Sequence, residues 1–182
     1  MPTHTDEDQW YAQLRAEYKP AKVRLLLIGE SAPSDHGGTK TRNFFFASHL
    51  GPDNLYRGVV QALYGLAGLK TRTHDKVPWL QKLQSDGIYL IDLVPYPVND
   101  IKAGAERKAI LRENVEGCVE RAAALRPEGI ILCSRDVFAT LEAPLRQAGL
   151  PLLHDTALSF PLGNVRVQFV AGFKAARAKL DR

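Results

Sequence analysis

The chain contains 182 residues, of which 45% are hydrophobic and 24% are charged, and its formal net charge is +4 at pH 7. This composition excludes a disordered, collagen-like or coiled-coil chain. No apolar run approaches the roughly 20 residues that span a bilayer, and the acidic, polar first residues do not resemble a secretory signal. We therefore expect one domain over residues 1–182 in a soluble cytoplasmic protein.

Cysteine content and charge limit the cofactors and partners. The two cysteines, Cys118 and Cys133, are too few for a tetracysteine zinc site or an iron–sulfur cluster, so we expect both to be reduced packing residues. The small positive charge permits a polyanionic partner without requiring one.

Short apolar runs alternate with helical patterns along the chain. The apolar runs, which are typical of buried parallel strands, are residues 23–28, 87–94, 129–133 and 150–154. The helical patterns are residues 6–18, 55–69, 78–85, 106–125, 134–147 and 165–180. This alternation predicts a three-layer α/β/α domain with a short parallel four-stranded sheet. In such a sheet, ligands bind beyond the carboxyl ends of the strands.

The loop after the first strand, residues 29–38, has neither the glycine spacing of a dinucleotide-binding loop nor the Gly-Lys-Ser/Thr ending of a phosphate-binding loop. An enzyme acting on nucleoside triphosphates is therefore disfavoured. The loop does place a carboxylate, Glu30, at the strand tip, followed by small residues and then Asp35 and His36. It is either a polar turn in which Asp35 caps a helix or a ligand-binding loop.

Three further segments have two interpretations each. Residues 41–46 include three adjacent aromatic residues, which form either core packing or a platform for stacking bases. Asp92 lies in the second apolar strand, where a buried carboxylate either caps neighbouring amides or reads a ligand. Residues 158–164 form either a turn with a helix cap or, with the amides of residues 163–166, a phosphate-binding helix start.

Taken in order, these loops resemble the motifs of the uracil-DNA glycosylase superfamily, and its bacterial and archaeal branches more than the eukaryotic enzyme. Gly29-Glu-Ser-Ala-Pro33 is similar to the first motif, and Arg42-Asn43-Phe44 is similar to an Arg-Pro-Phe motif whose ring stacks on uracil. Residues 89–99 are similar to the strand that presents a uracil-reading Asn. Residues 158–164 are similar to the His-Pro-Ser motif that binds DNA.

This sequence departs from the family pattern at defined positions. The first motif has one extra residue before its proline, so Ser31 takes a position where other branches place a water-activating Asp or Asn. Phe160 stands in place of the motif His, and Asp92 stands in place of the reading Asn. The four cluster cysteines of the iron–sulfur branch are absent from the sequence.

The resemblance implies a DNA base-excision glycosylase that flips and hydrolyses a damaged or deaminated base, as a monomer with DNA as its partner and with no metal or cofactor. The residues it assigns to catalysis are Glu30 and Ser31. Those it assigns to base binding are Phe44, Asp92, Asn99, Ser159 and Asn164. Those it assigns to DNA binding are Arg42, Leu162, Gly163, Arg166 and Lys174, with Leu162 near the family's wedge position.

Cleavage of an N-glycosidic bond leaves positive charge on the sugar and negative charge on the base. Glu30 would stabilise the cation or orient a water molecule, whereas donors to the base would come from backbone amides, Asn164 or His154. An ionised Asp92 only accepts hydrogen bonds, which favours a base with an amino group. The alternatives are an inactive DNA- or base-binding module and an enzyme acting on nucleosides or nucleotides.

Overall fold

The computed structural model of the chain describes residues 4–34, 43–98, 100–102 and 104–182. The helices in this part are α1 (His4–Glu17), α2 (Asn54–Tyr64), α3 (Val77–Ser85), α4 (Ala105–Glu113), α5 (Val115–Leu125), α6 (Arg135–Gln147) and α7 (Arg166–Arg177). The strands are β1 (Leu25–Gly29), β2 (Ile88–Asp92) and β3 (Gly129–Leu132), and a short 3-10 helix at Gly163–Val165 precedes α7.

The three strands form one parallel sheet in the order β2-β1-β3. Gly29 of β1 pairs with Asp92 of β2, and Ile28 pairs with Leu132 of β3. Every residue of the three strands is buried. Because successive side chains of a strand point to opposite faces, the sheet is covered on both faces. The predicted α/β class is confirmed.

The chain connections explain how both faces are covered. The chain moves from β1 outward to β2 and then back across β1 to β3. Since parallel crossovers are right-handed, these two moves place α2 and α3 on one face and α4 and α5 on the other. The contacts agree, because α7 packs on α2, and α6 packs on α4 and α5.

The predicted fourth strand at residues 150–154 is reduced to a single parallel bridge between Ile130 and Leu152. The next donor along β3, the amide of Leu132, donates to Nε2 of His154 at 2.9 Å rather than to a backbone carbonyl. A side chain therefore takes the place of the main chain, and the ladder stops after one pair. The sheet has three strands in the described chain, where the sequence predicted four.

Two helices also differ from their predicted extents. The segment predicted as one helix over residues 106–125 is divided at Asn114, whose Nδ2 donates to the carbonyl of Ile110 at 2.8 Å. Such side-chain bonding competes with the helical pattern. The helix predicted over residues 55–69 ends at Tyr64, because Gly65 adopts a left-handed conformation with φ +72°.

Helix α1 docks beside β2 and α3. The carbonyl of Arg15 accepts a hydrogen bond from the hydroxyl of Tyr89 at 2.9 Å, and the carbonyl of Glu17 accepts one from Gln84 at 2.9 Å. This docking directs the Arg15 side chain toward the end of β2. Within the described residues, every helix is too short or too polar to traverse a lipid bilayer.

Candidate functional site

A cavity of about 600 Å³ opens where the three strands end. Its wall includes Gly29, Asp92 and Cys133 at the strand ends, together with the starts of α2 and α6. The chain leaves β1 and β3 toward opposite faces of the sheet, which makes this the switch point where open α/β sheets bind ligands. The cavity therefore lies at the strand ends from which the candidate loops begin.

Five of the predicted site residues line this cavity: Glu30, Ser31, Phe44, Asp92 and Ser159. They come from four separate parts of the chain, and the fold brings them together. Phe160, which replaces the motif His, also lines the cavity. Of the other residues that the sequence singled out, Asp35, His36, Arg42 and Asn99 lie outside the described residues.

The carboxylate of Glu30 is held by Arg107 of α4. The Nε and Nη2 atoms of Arg107 both contact Oε1 of Glu30. The guanidinium is itself fixed, because its Nη1 donates to the carbonyl of Ile101 at 3.1 Å. The backbone of Glu30 is fixed as well, since its carbonyl accepts from the amide of Val94 at 2.9 Å. This charge-assisted pair orients the carboxylate at the cavity wall and offsets part of its charge.

Asp92 is buried and pairs with Arg15 of α1, with 2.7 Å between Nη2 and Oδ2. Burial raises the pKa of Asp92, whereas the guanidinium groups of Arg15 and Arg121 lower it. The other carboxylate oxygen, Oδ1, lies so close to Gly29 that a Cβ atom there would be 2.7 Å from it. A glycine at the end of β1 is therefore required for the carboxylate to reach this place.

Phe44 and Phe45 form an aromatic part of the cavity wall. Phe44 is buried, with its ring centroid 4.7 Å from that of Tyr11, and the guanidinium carbon of Arg15 lies 5.1 Å from the same ring. A stacking platform presents an open ring face to its ligand. In this structure Phe44 is packed as a wall residue, which corresponds to the core-packing interpretation of the aromatic run.

Lys76 lies behind this wall and is completely buried. Its ammonium donates to the carbonyls of Phe44 at 3.1 Å and Phe45 at 2.8 Å, and to Oδ2 of Asp53 at 3.1 Å. These three acceptors match the three donors of an ammonium group. Burial lowers the pKa of Lys76, and Asp53 opposes that effect. Asp53 also caps α2, because its Oδ1 accepts from the amide of Tyr56 at 3.1 Å.

Four residues that the sequence predicted to bind the base or DNA lie outside the cavity lining. They are Leu162, Gly163, Asn164 and Lys174, and all four are exposed. Arg166 is half-buried and contacts a lining residue, since its Nη2 donates to Oδ1 of Asn54 at 2.9 Å. The amides of Val165 and Arg166 donate to the carbonyls of Leu162 and Gly163. In this conformation these two amides bond within the turn rather than to a phosphate.

His154 has a structural role. Its Nε2 accepts from the amide of Leu132, and its Nδ1 lies 2.8 Å from the carbonyl of Thr156, which assigns the proton to Nδ1. Burial lowers the pKa of His154, and the accepting Nε2 belongs to the neutral form of the ring. Because both nitrogens bond to the backbone, His154 is not placed to donate to a departing base.

Sequence reasoning missed the three cations that pair with the acidic groups of the cavity wall, Arg15, Lys76 and Arg107. The only available signal was general, since a buried carboxylate needs a partner. The sequence has 24 lysines and arginines, and nothing in their spacing connects these three to carboxylates in distant segments.

The cavity wall combines carboxylates, neutral polar groups and aromatic rings. Within the described residues, no group of three or more His, Cys, Asp or Glu side chains is arranged to hold a metal ion. Comparison with protein-family models, with curated proteins and with solved structures found no match.

Proposed function

We propose that this chain is a DNA base-excision glycosylase-like protein, a cytoplasmic monomer that takes an extruded base into the cavity and hydrolyses its N-glycosidic bond. The observation that carries the proposal is the convergence of Glu30 and Ser31 from one loop and Asp92 from another strand end on one cavity. A volume of about 600 Å³ lies within the ordinary range for small-molecule sites. A uracil-DNA glycosylase-like topology of the α/β/α domain belongs to the same proposal.

The charges in the cavity suit the two halves of the reaction. The Glu30 carboxylate stabilises positive charge on the sugar, and its pairing with Arg107 keeps it in place. Ser31 and Ser159 are neutral lining residues whose hydroxyls supply hydrogen-bond donors. Asp92, paired with Arg15, acts as an acceptor and favours a base that offers an amino group.

One observation favours a second function. Arg107 already occupies one oxygen of Glu30, and this pairing weakens the field that would stabilise a sugar cation. A protein of the same fold that binds DNA or a base without cleaving it would retain the cavity. Such a protein does not need a free carboxylate charge, so the pairing of Glu30 with Arg107 would not impair it.

The test is a glycosylase assay on labelled oligonucleotides that carry uracil, hypoxanthine, xanthine or an undamaged base, both single-stranded and in each mismatch. We expect product from the wild type, a loss of product in Glu30→Ala, and no change in Glu106→Ala, which removes an exposed acid of α4 outside the cavity lining. DNA binding without any product supports the binding module. Turnover of nucleosides with neither DNA binding nor excision supports a small-molecule enzyme.

Asp92→Asn tests the assignment of the base-reading residue. An amide both donates and accepts, so it matches uracil better than a carboxylate does. We expect Asp92→Asn to raise excision of uracil relative to a base with an amino group. An unchanged or reduced preference for uracil in a folded variant removes Asp92 from the base-reading role.

A further inference from the structure

Exposed large hydrophobic side chains are concentrated in one short segment of the chain that begins at the cavity. In the described part of the chain, the large hydrophobic residues with the highest exposure are Tyr96 at 37%, Phe160 at 43%, Leu162 at 61% and Val167 at 73%. Three of these four lie between positions 160 and 167, and Phe160 lines the cavity itself. A local concentration of exposed apolar surface marks an interaction site.

The backbone that carries Phe160 is anchored on both sides. Leu158 is buried and packs closely on Gly172 of α7, where an added Cβ would overlap the leucine side chain. Pro161 packs on Gly58 of α2, where an added Cβ would lie 2.8 Å from the proline ring. Phe160 is thus presented from a fixed backbone, so little backbone freedom is lost when a ligand stacks on its ring.

Two guanidinium groups flank this ring along the chain. Nε of Arg135 donates to Oγ of Ser159 at 3.0 Å, directly before Phe160. Nε of Arg166 lies 3.5 Å from the carbonyl of Pro161, directly after it. An accessible aromatic ring between cations is the arrangement that binds single-stranded nucleic acid, in which bases stack and phosphates pair with the basic groups.

We propose that Phe160 is a stacking platform for the nucleotide next to the one whose base enters the cavity, and that the partner of this surface is single-stranded DNA. The proposal rests on the proposed function in placing a DNA base in the cavity. In a duplex, the neighbouring base is paired and stacked on both sides, so exposing it costs a few kcal/mol. A single strand offers that base at a much lower cost.

The experiment measures binding of the full chain to three labelled probes of one mixed sequence: a single strand, the duplex, and a strand of the same length built from abasic residues. The variants are Phe160→Ala, Phe160→Leu and Phe160→Trp. Tyr96→Ala is the matched control, because Tyr96 is an aromatic residue of similar exposure outside the cavity lining. Circular dichroism checks that each variant is folded.

We expect the wild type to prefer the single strand to the duplex. Phe160→Ala should weaken single-strand binding by about 5- to 150-fold, which corresponds to the usual contribution of one stacked base to the free energy of binding. Phe160→Leu should be equally weak because it lacks a ring, whereas Phe160→Trp should restore affinity. Tyr96→Ala should leave single-strand affinity almost unchanged. The Phe160 variants should bind the abasic strand with nearly the same affinity as the wild type.

Four results would overturn the platform: preference for the duplex, an equal loss of affinity for the abasic strand, no effect of Phe160→Ala, or no binding of any probe. Self-association of the wild type that Phe160→Ala abolishes would assign the surface to a protein contact instead. Excision assays on the same variants separate the two proposals. Phe160-dependent binding without product refutes excision alone, and excision with unchanged binding in Phe160→Ala refutes the platform alone.

Discussion

Three carboxylates that line the cavity each pair with a cation from a segment outside the sheet. The pairs are Glu30 with Arg107 of α4, Asp92 with Arg15 of α1, and Asp53 with Lys76 at the start of α3. A buried charge without a partner is costly. Each ion pair therefore makes burial of the carboxylate possible and fixes the position of the helix that carries the cation. The geometry of the cavity therefore depends on Arg15 and Lys76, which lie outside its lining, as well as on Arg107, which belongs to the lining.

Lys76 should be the most sensitive of these cations. Lys76→Met leaves Asp53 buried without a counter-charge and leaves two carbonyls without their donor. We expect the free energy of unfolding to fall by about 3–5 kcal/mol, as measured by urea denaturation. Trp10, whose ring lies 5.8 Å from that of Phe44, should report a displaced aromatic wall through its fluorescence.

The matched control is Lys82→Met. Lys82 is half-exposed and pairs with Asp86 at 3.0 Å within one helical turn, so its loss should cost less than about 1 kcal/mol. Equal, small effects of both variants would show that the buried ammonium is not essential to the wall.

His154 should make stability dependent on pH. Burial holds its pKa below the ordinary value of about 6.5, so in acid the unfolded chain binds a proton that the folded chain does not. The free energy of unfolding should therefore fall as the pH is lowered through about 6.5 toward the folded-state pKa, by at most about 1.4 kcal/mol per pH unit for this proton. Urea denaturation of the wild type and of His154→Gln between about pH 8 and pH 5 isolates the contribution of this proton to the free energy of unfolding. Parallel stability curves would contradict the assignment.

At the scale of elements, the crossing of α2 and α7 positions the segment that forms one edge of the cavity. Gly58 of α2 packs on Pro161 and Phe169, and a Cβ atom at Gly58 would lie 2.8 Å and 3.0 Å from them. Alanine normally favours a helix over glycine by about 1 kcal/mol. At this crossing we expect Gly58→Ala to lower the free energy of unfolding by about 1–3 kcal/mol through overpacking.

Gly117 of α5 provides the comparison, because no atom of the described residues outside its own helix turn lies within 4 Å of the Cβ atom that alanine would add there. Gly117→Ala should raise the free energy of unfolding by about 0.5–1 kcal/mol. Calorimetric melting of both variants tests the pair. Stabilisation by both substitutions would mean that α2 and α7 separate easily and do not fix the edge of the cavity.

The sequence predicted elements best where burial alone determines them. The apolar runs at residues 23–28, 87–94 and 129–133 became the three strands, because a strand covered on both faces has no polar side. The fourth strand and the long helix over residues 106–125 were wrong in extent. In each case a single side chain, His154 or Asn114, bonds to the backbone in place of a main-chain partner.

At the scale of the whole molecule, topology explains why the site was partly predictable. Parallel strands end at the same edge of their sheet, so Glu30 and Asp92 had to meet there once the strands were assigned. The partners of these carboxylates come from α1 and α4, and their positions follow from helix packing rather than from any local pattern. Arg15 and Arg107 could therefore be recognised only after the fold was known.

The distribution of charge over the molecule gives the last prediction. If DNA crosses the surface beside the cavity, exposed cations of α7 should neutralise phosphates, and the logarithm of affinity should fall linearly with the logarithm of salt concentration. Lys174→Ala should make this slope shallower by about 0.7–0.9, the value of one phosphate contact. Lys108→Ala on α4, in the opposite helix layer, is the control and should leave the slope unchanged. Because a general loss of net charge would affect both variants alike, an equal change in slope would mean that α7 has no particular role in contacting DNA.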